Sequence, residues 1–163
     1  MTDDKYRKYF TEAEWDSYQK YVPWTRLVRK GTTNLADGKK GDLIKFIRAN
    51  KDDLVLKPND EYGGHGILIG WETEQEVWDN RIDVTVAGGR WNAVQHRVRV
   101  PLEEFPIMDG NKFVGFEKRN VNINFWSHGG EFAGAFNRAA KGSLVNVHQG
   151  GGIMPVFFVE KKK

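Results

Sequence analysis

The chain has no cysteine in its 163 residues, which excludes disulfides, thiolate metal sites and a cysteine nucleophile. It also lacks any apolar run near the ~20 residues of a membrane span, and the acidic start Met1-Thr2-Asp3-Asp4 has neither the basic nor the apolar region of a signal peptide. A cytoplasmic protein with no membrane partner is therefore expected. Basic blocks are missing apart from the tail Lys161-Lys162-Lys163, so a net charge of +3 says little for nucleic acid. No G-x-S-x-G or H-E-x-x-H occurs, and His65, His96, His128 and His148 fall on separate expected elements, which argues against a dedicated zinc site.

What is present is an ordinary globular composition, 39% hydrophobic and 29% charged, long enough for one domain or two small subdomains. Six Trp and ten Phe are many for this length, and most are expected in the core, because aromatics dominate packing first. Thr11-Glu12-Ala13-Glu14 is a capping-box pattern inside an expected helix over 6–21, which Pro23 ends. Asp42 caps a short helix with Leu43, Ile44, Phe46 and Ile47 on its apolar face. Apolar runs predict strands over 53–57 and 66–71, and Thr73-Glu74-Gln75-Glu76 opens another helix, stopped at Gly88-Gly89. From residue 90 the period becomes two: strands are expected over 91–100, 120–126, 132–138, 144–147 and 153–159, with a turn at His128-Gly129-Gly130 and a loop or irregular hairpin over 101–116. The expected class is α+β, with mainly antiparallel sheets.

The most suggestive stretch is 56–70, where a strand ending in Lys57-Pro58 runs into a polar loop containing Gly63, Gly64 and Gly66 and out into Ile67, Leu68 and Ile69. Glycines leave backbone N–H groups free to approach a ligand, and a lysine at the loop's root can meet a polyphosphate from the other side. The lysine precedes its glycines and the loop opens a strand, so this is neither a P-loop nor a dinucleotide fingerprint. A tight hairpin accounts for the same residues. Gln95, Arg138 and Asn146 add an amide, a cation and a second amide of the kind that suit phosphate or metal-bound oxygens.

The succession V-P-W-T-R (22–26), L-V-L-K-P-N-D-E-Y-G-G-H-G-I-L-I-G-W-E (54–72), V-Q-H-R-V (94–98), E-F-A-G-A-F-N-R (131–138) and L-V-N-V-H-Q-G-G-G-I-M-P-V-F (144–157) resembles the circularly permuted ATP-grasp proteins. The resemblance implies ATP clamped between two α+β subdomains, and a ligase that phosphorylates a carboxylate substrate for attack by an amine. By position, Lys57 would contact the phosphates and Tyr62, Gly63, Gly64, His65 and Gly66 would form the mobile lid. Gln95 and His96 would lie at the adenine hinge, Arg138 would meet the transferred phosphate as the catalytic cation, Asn146 would lie near the phosphate or metal, and Arg26 would be an upstream cation. The implied division is an N-terminal helical segment (1–22), a subdomain with the glycine loop (23–89), a β-rich subdomain (90–160) and a basic tail (161–163).

The family's magnesium-holding aspartate and Glu-x-Asn strand have no counterpart in residues 1–20, and Asp60 and Glu61 near the loop read as solvated. Magnesium needs such carboxylates beside the phosphates. The expectation is thus the late portion of an ATP-dependent ligase, binding ATP but inactive without an upstream domain of the same protein. Two alternatives remain: a binding or partner module in which the glycines are only turns, and a carbohydrate or nucleic-acid binder that uses Trp24, Trp71, Trp91 or Trp126.

Overall fold

Capping and alternation carry over into the structure, a computed structural model that describes residues 2–160. The expected N-terminal helix is in two pieces, a 3-10 turn over Asp4–Tyr9 and α1 over Glu12–Tyr21, because Thr11 between them is extended and serves as the N-cap. Its hydroxyl accepts from the Glu14 backbone N–H while the Glu14 carboxylate accepts from the Thr11 N–H, a complete capping box.

The chain then lays down β1 (Thr25–Leu27) and a small hairpin of β2 (Thr32–Asn34) and β3 (Lys40–Asp42). Asp42 accepts from the Lys45 N–H at 2.8 Å and starts α2 (Leu43–Ala49). After a 3-10 turn come β4 (Leu54–Pro58) and the two-residue β5 (Leu68–Ile69), which is shorter than expected because the chain coils into a 3-10 turn at Gly70–Glu72. The helix α3 (Gln75–Val86) buries Trp78, Ile82 and Thr85 at helical spacing. Its N-cap is Glu74 rather than Thr73, whose hydroxyl instead donates to the Ile69 carbonyl. The far end closes as a Schellman motif, with Gly88 N–H donating to Thr85 O and Gly89 N–H to Val84 O, and Gly88 at a φ of 92° that favours glycine.

Next, β6 (Asn92–His96) completes an antiparallel sheet in the order β1-β6-β4-β5. Leu54, Leu56 and Val94 point to one side of it, where they pack with Leu43, Ile47, Trp78 and Ile82 in a closed core. The Trp78 indole N–H donates to the Ile47 carbonyl, and Arg48 pairs with Asp79 at 3.0 Å, joining α2 to α3.

The described residues form two compact units that divide between Val98 and Arg99. This is later in the chain than the expected division after residue 89, because β6 belongs to the first sheet. The second unit is an antiparallel sheet in the order β10-β9-β8-β7, built from β7 (Leu102–Asp109), β8 (Lys112–His128), β9 (Glu131–Ala140) and β10 (Gly152–Met154). The turn at His128-Gly129-Gly130 joins β8 to β9 as expected. In place of a strand over 144–147 there is an irregular segment ending in a 3-10 turn, Val147–Gln149, and the last strand is three residues rather than seven. The class is α+β with antiparallel sheets, as expected. Among the described residues no helix is long and apolar enough to cross a membrane. The expected basic tail lies outside the described residues.

A candidate phosphate-binding site

Alternation along β4 settles the direction of Lys57. With Leu54 and Leu56 in the core, Val55 and Lys57 face the other way. On β6, Gln95 lies opposite Val55 and therefore shares that face. The Lys57 ammonium donates to Gln95 Oε1 at 2.6 Å, Gln95 Nε2 donates to Thr25 Oγ1 at 3.0 Å, and the Thr25 hydroxyl donates to the Pro23 carbonyl at 2.8 Å. The result is a chain of donors running one way across β4, β6 and β1. Lys57 has no ion-pair partner among the described residues, and burial lowers its pKa. An ammonium has three donors, so this one is partly desolvated, charged beside a neutral amide, and still able to donate.

The loop after Lys57 is fastened at its root and open at its tip. Arg90 pairs with Asp60 at 3.3 Å and with Glu61, while Arg81 donates to the Gly66 carbonyl at 2.9 Å. Asp60 and Glu61, expected as solvated acids, are thus the partners of Arg90. Between these anchors Gly63, Gly64 and Gly66 take φ values of 63°, 84° and 67°, the left-handed region that glycine enters freely. The Tyr62 and His65 rings meet edge to face at 5.7 Å, and Tyr62 is exposed.

Two of the expected ligands point elsewhere. His96 pairs with Leu54 across β4 and β6, so it lies on the opposite face of the sheet from its neighbour Gln95. Arg26 pairs with Val94 and is also on that opposite face. Its guanidinium is held by Thr33 Oγ1 at 2.9 Å, Thr2 Oγ1 at 2.8 Å, Thr25 O at 3.0 Å and Asn34 O at 2.9 Å. Burial lowers the Arg26 pKa, with Asp3 and Asp4 opposing the shift. Arg26 is a structural pin for the strand edge, where an ATP ligand was expected.

No protein-family model, curated protein or solved structure matches the chain.

In the second unit the structure does bring Arg138 and Asn146 together. Arg138 Nη1 donates to Asn146 Oδ1 at 2.7 Å and Nη2 to Asn122 Oδ1 at 2.9 Å, and Asn124 Nδ2 donates to the same Asn122 oxygen at 2.7 Å. Asn122 and Asn124 lie within the strand expected over 120–126 but were not among the expected ligands; their alternation along β8, opposite Arg138 and Phe136, is the signal that locates them. Arg138 is surrounded by amides and has no carboxylate partner among the described residues, while its Nε is buried without an acceptor. Such a guanidinium suits an oxyanion. It does not suit Mg2+: Asn146 and Asn122 present their oxygens to a cation already, and among the described residues no three His, Asp or Glu side chains converge on one point. Of the candidate surface tryptophans, Trp24 packs on Phe46 and Trp71 lies under the Arg97 guanidinium at 3.9 Å, whereas Trp91 and Trp126 are exposed.

Proposed function

We propose that the first unit binds ATP in the manner of an ATP-grasp domain, with the phosphates held by Lys57 and by the backbone of the loop 62–66. The observation that carries this reading is the Lys57 ammonium, partly buried and hydrogen-bonded only to a neutral amide at the root of a glycine loop. A phosphate oxygen replaces or joins Gln95 Oε1 there and restores the charge balance that burial disturbs. Arg138, with its amide collar, is a second anion-binding group in its own unit. Asp60 and Glu61, the acids of the loop, are engaged by Arg90 rather than free to hold magnesium beside the phosphates, so binding is proposed without ligase turnover by this chain alone.

The test is thermal unfolding with millimolar ATP. A ligand of the folded state alone stabilises by about 2.7 kcal/mol at a hundredfold excess over its Kd, so a clear rise in Tm is expected in the parent and a distinctly smaller one in Lys57→Ala. A parent Tm that ATP leaves unmoved would overturn the proposal.

A further inference from the structure

The first unit also contains a cleft of about 1000 Å³ to which neither Lys57, Gln95 nor the residues 60–66 contribute. One wall comes from the 3-10 turn and α1, which present Tyr6, Tyr9, Phe10 and Tyr18. Phe10 and Tyr18 are packed in place, because Phe10 lies 5.7 Å from Trp15 and 5.4 Å from Tyr18 and Trp15 stacks on Tyr18, while Tyr6 carries the Lys5 ammonium over its ring at 4.8 Å. The sheet contributes Leu27 and Ala93, which face one another across β1 and β6. The β1–β2 connection and the β2–β3 hairpin supply most of the remainder, joined by Leu43 of α2 and by Asn59, which follows β4.

Charge on the lining is one-sided. Five basic side chains (Lys5, Arg26, Arg29, Lys30, Lys40) stand against one acid, Asp3. Asp3 is already occupied, capping the Lys5 N–H at 3.3 Å and lying 3.7 Å from its ammonium, and Arg26 is held by four acceptors. Arg29, Lys30 and Lys40 have no ion-pair partner among the described residues, and the hydroxyls of Tyr6, Tyr9 and Tyr18 have no described hydrogen bond. Three unpaired cations around one concavity repel one another until an anion sits between them. Aromatic walls give a planar ring a face to stack on, and the volume is at the upper end of the ~300–1,000 Å³ of small-ligand sites.

We infer that this cleft is a binding site for a small anion carrying a planar ring, an aryl or heteroaryl phosphate, with Arg29, Lys30 and Lys40 on the anionic group and Tyr6 and Tyr18 against the ring. Neither Lys57 nor Gln95 lines the cleft, but it adjoins them: Ala93 pairs with Lys57 across β4 and β6, and Thr25 accepts from Gln95 Nε2.

The experiment is calorimetric titration of the full chain with phenyl phosphate, inorganic phosphate and phenol, each repeated in Lys57→Ala to silence the other site. Phenyl phosphate is expected to bind saturably, more tightly than either fragment and equally well in parent and Lys57→Ala. A Lys30→Ala/Lys40→Ala double variant, exposed at both positions and checked for unchanged circular dichroism, is expected to weaken it by about tenfold, the scale of two partly screened charge contacts. Tyr6→Ala is expected to bring phenyl phosphate down to the affinity of inorganic phosphate. Absence of saturable binding, loss of binding in Lys57→Ala, or an unaffected double variant would each overturn the inference. So would a short single-stranded oligonucleotide that binds more tightly than phenyl phosphate and is lost in the same double variant, since that makes the cleft part of a strand-binding surface.

Discussion

Replacing Arg26 with methionine tests whether this guanidinium is a fastener or a ligand. The substitution keeps an unbranched stem against Trp24, whose ring lies 5.1 Å from the guanidinium carbon, and deletes four hydrogen bonds of 2.8–3.0 Å. Bonds to a charged group contribute about 1.5–3 kcal/mol each, so the gross loss is on the order of 6–12 kcal/mol. Two effects reduce it. Removing the guanidinium also removes the several kcal/mol that its burial costs. In addition, three of the four acceptors keep another partner: Asn34 O accepts from the Trp24 indole N–H, Thr2 Oγ1 from the Thr25 N–H, and Thr25 O from the Thr2 hydroxyl. Only the Thr33 hydroxyl loses its described donor. The net expectation is a loss of about 2 kcal/mol, or about 1–1.5 M in urea midpoint at an m of roughly 1.5 kcal/mol/M. Intrinsic tryptophan fluorescence reads the transition. A midpoint within about 0.3 M of the parent, at unchanged m, would refute the assignment of Arg26 as a pin. The same variant should keep the full ATP-induced rise in Tm; an intact midpoint with that rise abolished would make Arg26 the phosphate ligand expected from the sequence.

Two further outcomes follow from single side chains. Burial lowers the Lys57 pKa in the folded protein, so the unfolded chain holds that proton to higher pH, and stability rises with pH across the window just below the ordinary lysine value of ~10.4. Lys57→Met removes this contribution: its stability relative to the parent should be greatest near pH ~7.5 and decline toward pH ~10, and two urea-midpoint profiles that run parallel would count against a desolvated ammonium. At Gly70 an added methyl would lie 1.7 Å from the Lys51 carbonyl oxygen and 2.8 Å from that of Leu54, both backbone atoms. Gly70→Ala should therefore cost about 2–3 kcal/mol or more, whereas Gly142→Ala, with nothing within 4 Å, should leave the urea midpoint unchanged; a parental midpoint in the first would show that the two 3-10 turns can separate freely.

The parts of the fold that the sequence reveals are those set by local chemistry. The Thr11 box, the Asp42 cap, the alternation around Leu54 and Leu56 and the glycine turn at 129–130 are all decided by neighbours along the chain. Pairing decides the rest. Nothing in three residues of β1 states which face Arg26 takes; its position opposite Val94 does. Gln95 and Lys57 were each expected to touch a ligand, and the register places them on one face where they hold each other. Of the two readings of 101–116, a loop or an irregular hairpin, the hairpin is the one formed: β7 and β8 pair with a register shift at Ile107/Met108, and β7 is an edge strand, where Pro106 can lack an N–H without breaking the sheet. Conversely, the apolar run after Ile153 forms strand only as far as Met154, where pairing with β9 stops. The cleft behind Tyr6 and Tyr18 is made by segments that are separate in sequence, and no motif marks it.

The strand order of the first sheet also fixes a sequence of events. Because β6 lies between β1 and β4, the two earlier strands have no hydrogen-bonding partner in common until the chain has reached residue 96, and the Gln95–Thr25 bond closes a loop spanning 70 residues. Closing a loop of that length is slow compared with zipping neighbouring strands. The second unit is the opposite case: β7, β8, β9 and β10 pair in chain order, so each strand can add to the one before it. During synthesis the first unit waits for its central strand, with Leu54, Leu56 and Trp78 unable to close their core before it arrives. A nascent chain halted ahead of Asn92 would expose that apolar set to chaperones, and release of the strand Asn92–His96 would be the step that ends the exposure.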